Sequence, residues 1–196
     1  MGNGTIQTQG RDAVTLILGG ARSGKSRLGE AIAGAGGQSA VYIATAQAHG
    51  ADHGPDHDDE MRQRIASHRA RRGENWRTVE IPHDLSQELS RQLPNGQPIL
   101  VDCLTLWLTN IMLAERDVEA EIEALAGVFT DVRAALVLVT NETGLGIVPD
   151  NALARRFRDA SGLMNQQIAA AADNVLFVAA GLPLVMKGRN PALEPI

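Results

Sequence analysis

The residues Gly19, Gly20, Ala21, Arg22, Ser23, Gly24, Lys25 and Ser26 fit the spacing G-x-x-x-x-G-K-[ST], which suits them to the phosphates of a nucleoside triphosphate. Glycines let successive backbone N–H groups turn inward around an anion with no Cβ in the way. Lys25 can reach the β- and γ-phosphates, Ser26 can ligate Mg2+, and a helix starting there adds the positive end of its dipole. A Gly-rich turn can match such a string by chance. Here an apolar run, VTLILGG, enters the loop and a helical pattern, SRLGEAIAG, leaves it, which is the context the chemistry requires.

An acid should close a neighbouring strand, and Asp102 at the end of PILVD fits. Two roles are open to it: holding Mg2+, directly or through water, or capping a helix that starts at LTLWLTNIML. A second chemical segment is DDEMRQRIASHRARRGENW, residues 58–76. Helical spacing puts Met61, Ile65, His68 and Arg72 on one face, with Arg62, Arg64, Arg69 and Arg71 crowded around them. Arginine forks match phosphate oxygens, and neighbouring cations keep an imidazole neutral and nucleophilic. Spacing alone leaves His68 open between a nucleophile toward phosphorus and a histidine on a solvated, Arg-rich face.

These groups need a scaffold that brings loop ends together. Five short runs are apolar almost throughout: 14–20, 40–45, 98–104, 135–141 and 174–180. Strands covered on both faces read this way. Helical patterns at about 25–34, 59–72, 84–92, 104–114, 117–130 and 151–172 separate or flank them. The alternation predicts an α/β fold with a mainly parallel sheet flanked by helices. TVEI, 78–81, is expected to extend an edge of that sheet. Asp84 and Asn151 precede two of the helices; Leu153, Phe157, Met164 and Ile168 are expected to form a buried stripe, weakened midway by Gly162.

With 196 residues and 44% hydrophobic residues the chain reads as one globular domain, expected over 13–196 after a flexible, polar extension at 1–12. The net charge of −5 argues against a general nucleic-acid or membrane-surface binder. Cys103 is the only cysteine, no run is apolar enough to span a membrane, and no signal sequence is evident, so a cytoplasmic setting is expected. The loop 47–60 carries His49, His53 and His57 among aspartates, as metal sites do, but Gly50, Gly54 and Pro55 oppose the helix that would align them.

Taken in order, GGARSGKS, YIAT, DDEMRQRIASHRARR followed by WRTVE, VTNETGLGIVP and LARRFRDASGLMNQQIAAAAD resemble a known family. It is that of the bifunctional adenosylcobinamide kinase / adenosylcobinamide-phosphate guanylyltransferases of cobalamin biosynthesis, and the resemblance runs from about Thr15 to Val178. It implies a P-loop NTPase fold of RecA-like type and a homo-oligomer, a trimer. It also implies two reactions: ATP or GTP phosphorylates adenosylcobinamide, and GTP then guanylylates adenosylcobinamide phosphate through a GMP–histidine, releasing pyrophosphate. By the same resemblance His68 is the guanylylated histidine. Ala44, Thr45, Ala46, Arg69, Ala70, Arg71, Arg72, Glu80 and Asp102 fall where relatives contact the guanine nucleotide. Asp102 stands where some relatives carry Glu, and Ser67 where some carry a second histidine. Asn141, Glu142 and Thr143 either help bind substrate or metal, or shape a loop. A GTP-dependent switch is disfavoured, because Asn141-Glu142-Thr143-Gly144 lacks the Lys and Asp of the N-K-x-D guanine signature.

Overall fold

The computed structural model describes residues 13–46 and 73–193. The expected 1–12 extension, the His/Asp-rich loop and the 59–72 helix with His68 to Arg72 lie outside them. Among the described residues the strands are β1 (Val14–Gly19), β2 (Ala40–Ala44), β3 (Trp76–Glu80), β4 (Ile99–Asp102), β5 (Leu136–Val139), β6 (Asn174–Ala179) and β7 (Leu182–Lys187). The helices are α1 (Lys25–Gly34), α2 (Leu85–Gln92), α3 (Leu104–Leu113), α4 (Val118–Gly127) and α5 (Ala152–Ala171).

The strands form one sheet in the order β3-β2-β4-β5-β1-β6-β7. Every neighbouring pair is parallel except β6 and β7. The expected edge strand is therefore present as β3, whereas β7 has no counterpart among the apolar runs. Its sequence, LPLVMK, follows a tight turn at Ala180 and Gly181, and as an antiparallel edge strand it leaves Leu182, Leu184 and Met186 exposed. It lacks the continuous burial that marks the other strands in sequence.

Alternation along the strands divides the apolar side chains between two faces. Leu16, Leu18, Val41, Ile43, Ile99, Val101, Leu136 and Leu138 join Trp107, Met164 and Ile168 in the larger core, with side chains from α2, α3, α4 and α5. Ile17, Tyr42, Leu100, Val137 and Val139 face the other way, toward Ile32 and Ala33 of α1. Helix α1 lies close on the sheet because Gly29 has no side chain; a Cβ there would come within 2.9 Å of Leu100 Cδ1.

The two residues that precede α5 and α2 differ in role, and one position departs from the expected stripe. Asn151 caps α5, its Oδ1 accepting from Ala154 N at 2.6 Å, while Asp84 precedes α2 without capping it and pairs instead with Arg116 at 2.8 Å. The buried stripe of α5 holds at Met164 and Ile168, and Phe157 is partly buried, but Leu153 is 59% exposed. The first turn of α5 stands beside an open apolar groove of about 250 Å³, lined by Met112, Leu113, Leu153 and Phe157, so Leu153 meets no closed core. Gly162 is exposed within the same helix, and a Cβ there would touch nothing within 4 Å. Gly162→Ala is thus expected to stabilise the fold by about 0.5–1 kcal/mol through lower unfolded-state entropy, raising the thermal midpoint by about 1–4 °C.

Candidate nucleotide site

All strands but β7 point their carboxyl ends the same way, and parallel α/β sheets place ligands outside those ends. Register aligns the candidates in one row: Glu80 lies opposite Ala44, Ala44 opposite Asp102, Asp102 opposite Val139, and Val139 opposite Ile17. Strand β1 continues beyond this row to Gly19, where the phosphate loop begins. Sequence-distant residues thereby reach a single edge.

The loop's geometry follows from its residue types. Gly19 has φ 154°, and a Cβ there would fall 2.3 Å from Val178 O, so only glycine fits. Gly24 has φ 105° and precedes α1, whose first residue is Lys25. Arg22 adopts φ 56°, which costs an L-residue about 1–2 kcal/mol and holds the loop curled. Lys25 is buried and lies back across the loop, its Nζ donating to Gly20 O at 2.6 Å. Ser26 is half-buried in the first turn. Inside the curl, Ser23 Oγ is buried and has no hydrogen-bond partner among the described residues.

Sequence patterns do not reveal the brace beneath this loop. Gly181 N donates to Ser23 O at 2.8 Å, and its Cα would lie 3.3 Å from a Cβ on Gly24. The β6–β7 turn, with Ala180 at φ 51° and Gly181 at φ 80°, packs against the phosphate loop. The available signal is AAGLP after an apolar run, a turn motif whose tertiary partner nothing local identifies.

Asp102 is the last residue of β4, and Cys103, not Asp102, precedes α3 without any side-chain cap. The Asp102 carboxylate instead accepts from Tyr42 Oη at 3.2 Å. Its helix-cap reading therefore falls away, and the carboxylate sits half-buried at the sheet's edge. Thr45 is bonded on both sides of its hydroxyl: Oγ1 donates to Cys103 O at 2.7 Å and accepts from Cys103 N at 2.9 Å. Its carbonyl accepts from Asn110 Nδ2 at 2.8 Å. With its side chain fully buried, Thr45 clasps β2 to the start of α3, while its neighbours Ala44 and Ala46 are partly exposed and Glu80 is exposed.

Burial, reinforced by the adjacent Asp102 carboxylate, pushes the Cys103 thiol up to about 11. A thiol so protonated is no nucleophile near neutrality. A thiol reagent at pH 8 is therefore expected to leave the native protein unmodified and to take up one equivalent after denaturation; rapid native labelling would contradict this burial.

Buried polar groups hold the end of β5. Thr105 Oγ1 accepts from Asn141 N at 2.7 Å and lies 3.4 Å from Thr140 Oγ1, which donates to Asn165 Oδ1 at 3.0 Å. Asn165 Nδ2 donates in turn to Asn141 O at 3.4 Å. Beyond them Glu142 N donates to Gly19 O at 3.1 Å, which ties this segment to the phosphate loop. Trp107, whose indole is buried and donates to His83 O, is part of the core. Among the described residues no group of three or more His, Cys, Asp or Glu is gathered to hold a metal, and no helix is long and apolar enough to cross a membrane.

The bifunctional adenosylcobalamin biosynthesis protein CobP of Pseudomonas aeruginosa is 48% identical over 175 residues, spanning 88% of this chain and 96% of that protein. Its counterpart CobU of Escherichia coli is 40% identical over 187 residues, spanning 88% of this chain and 98% of that one. Among solved structures, the flagellar accessory protein FlaH of Methanocaldococcus jannaschii covers 92% of this chain and 80% of its own, with a TM-score of 0.49 at 11% identity. Residues 15–186 match the family described as cobinamide kinase / cobinamide phosphate guanyltransferase, and the chain belongs to that family.

Proposed function

We propose that this protein phosphorylates adenosylcobinamide with ATP or GTP and then transfers GMP from GTP to adenosylcobinamide phosphate, giving adenosylcobinamide-GDP and pyrophosphate. The observation that carries the reading is the glycine-built loop with Lys25 lying across it, in a chain that matches the family over 15–186. The loop binds the triphosphate through backbone N–H groups of Gly19 to Gly24, and Lys25 offsets charge on the β- and γ-phosphates. The buried Ser23 hydroxyl, without a partner among the described residues, fits a loop shaped around a polar ligand. Ser26 and Asp102 would hold Mg2+, which supplies neutralising charge to the phosphates when bound. Ala44, Ala46, Glu80 and Arg69 to Arg72, with Ala70 among them, are assigned to the guanine nucleotide, and Thr45 supports that edge from within.

For the second reaction the proposed nucleophile is His68. Its imidazole forms a P–N bond to the α-phosphorus as the bond to pyrophosphate breaks; the phosphate of the acceptor then displaces the imidazole. The carboxyl-end row sets the neighbouring strand ends beside the phosphate loop, an arrangement that suits a site serving both transfers. A homotrimer in a cytoplasmic setting completes the reading, and sedimentation of the purified chain tests the assembly. The decisive test of the chemistry is incubation with GTP followed by intact-mass measurement: a gain of one GMP is expected, labile to acid and stable to base. No adduct would refute the transferase half while leaving triphosphate binding intact.

A further inference from the structure

The phosphoryl-transfer half of the reaction needs a group to take the proton of the acceptor hydroxyl, and the carboxylates at the sheet's edge differ in fitness for it. Glu80 ends β3, the edge strand farthest from β1 on that side. Asp102 ends β4, one strand removed from β1, and its carboxylate already accepts from Tyr42 Oη. Glu142 follows β5, the strand that pairs directly with β1. The pairing continues past the strand ends, with Thr140 N donating to Ile17 O at 2.9 Å and Glu142 N to Gly19 O at 3.1 Å. Of these acids only Glu142 is bonded through its backbone to the first residue of the phosphate loop.

Its placement is enforced from below. Thr105, Thr140 and Asn165 are 8%, 0% and 7% exposed, and their chain of hydrogen bonds grips both the N–H and the carbonyl of Asn141. Buried polar groups cost free energy unless fully bonded, so a network here rigidifies what it holds. It holds the residue before Glu142. The Glu142 side chain is half-buried; Oε1 accepts from Gly144 N at 2.6 Å, and the other carboxylate oxygen has no partner among the described residues. One oxygen orients the group, which leaves the second, among the described residues, to accept a proton.

We propose that Glu142 is the catalytic base of phosphoryl transfer, accepting the proton of the acceptor hydroxyl as that oxygen bonds to the γ-phosphorus and the nucleoside diphosphate departs. The proton ends on the Glu142 carboxylate, the new bond is O–P, and the bond broken joins the γ-phosphorus to the β-phosphate oxygen. This assignment rests on the kinase activity proposed above. Guanylyl transfer to an already phosphorylated acceptor has no hydroxyl proton to remove, so it does not need this group.

The test uses Glu142→Gln, whose amide oxygen can still accept from Gly144 N, and Glu142→Asp. Phosphorylation of adenosylcobinamide is expected to lose about a hundredfold in kcat in the glutamine variant, with the KM for triphosphate changed less than about threefold. Aspartate, which keeps a carboxylate, should restore part of the rate. GMP adduct formation, and transfer to chemically supplied adenosylcobinamide phosphate, should stay within about threefold of wild type, which also certifies folding. Undiminished phosphorylation, or equal loss of both reactions, would overturn the assignment alone. A wild-type protein that phosphorylates no adenosylcobinamide would overturn the kinase reading and this inference with it.

Discussion

Lys25→Ala is expected to lower triphosphate-dependent phosphorylation about a thousandfold while the protein stays folded. In the proposed mechanism Lys25 is a point charge that meets oxygens whose charge grows during transfer, and fixed cations of this kind are worth several kcal/mol of barrier. Its contribution to the fold is small by comparison. The ammonium donates to Gly20 O, so truncation leaves one carbonyl without that donor, at a cost of about 1 kcal/mol. The variant should therefore keep its circular dichroism and nearly its thermal midpoint while kcat collapses. Adduct formation should fall as well, on the proposed reading that both transfers use the same triphosphate grip. Wild-type turnover in Lys25→Ala would remove the loop from the mechanism.

His68→Ala is expected to separate the two reactions. With no imidazole to accept GMP, the acid-labile adduct should vanish and guanylyl transfer should fall below detection. Phosphorylation, which in the proposed mechanism uses Lys25 and no covalent intermediate, should remain within about tenfold of wild type. Intact-mass measurement after GTP incubation, run beside a kinase assay on the same preparation, reads both outcomes. A GMP adduct that persists in His68→Ala would place the covalent step on another residue and end the histidine assignment. Loss of both activities would instead make His68 a nucleotide-binding residue common to the two steps.

The parts of this site legible in sequence share a cause. A phosphate loop is a local object: Gly19, Gly24 and Lys25 act through the conformations of their own backbones and the helix they start, so eight contiguous residues announce it. Strands β1, β2, β4, β5 and β6 are equally plain, because burial on both faces writes an unbroken apolar run. Edge strand β7 is not, since exposure leaves LPLVMK with no such signature. Leu153 departs from its expected burial for a related reason: helical periodicity says which face a side chain shares but not whether a neighbour covers that turn of the helix.

Residue types and spacing by themselves determined that residues 19–26 fit a phosphate-binding loop and that strands alternate with helices, and the order of the motifs carried the resemblance to the family. Tertiary structure alone decided that Asp102 meets Tyr42 instead of capping a helix, that Thr45 turns inward as a clasp, that the β6–β7 turn braces the phosphate loop, and that Glu142 stands beside Gly19. The division is physical. Backbone conformation and periodicity are properties of neighbours along the chain, whereas the partner of a carboxylate or a hydroxyl is set by sheet order and register. Only the folded sheet brings residues 19, 44, 102 and 142 to one edge.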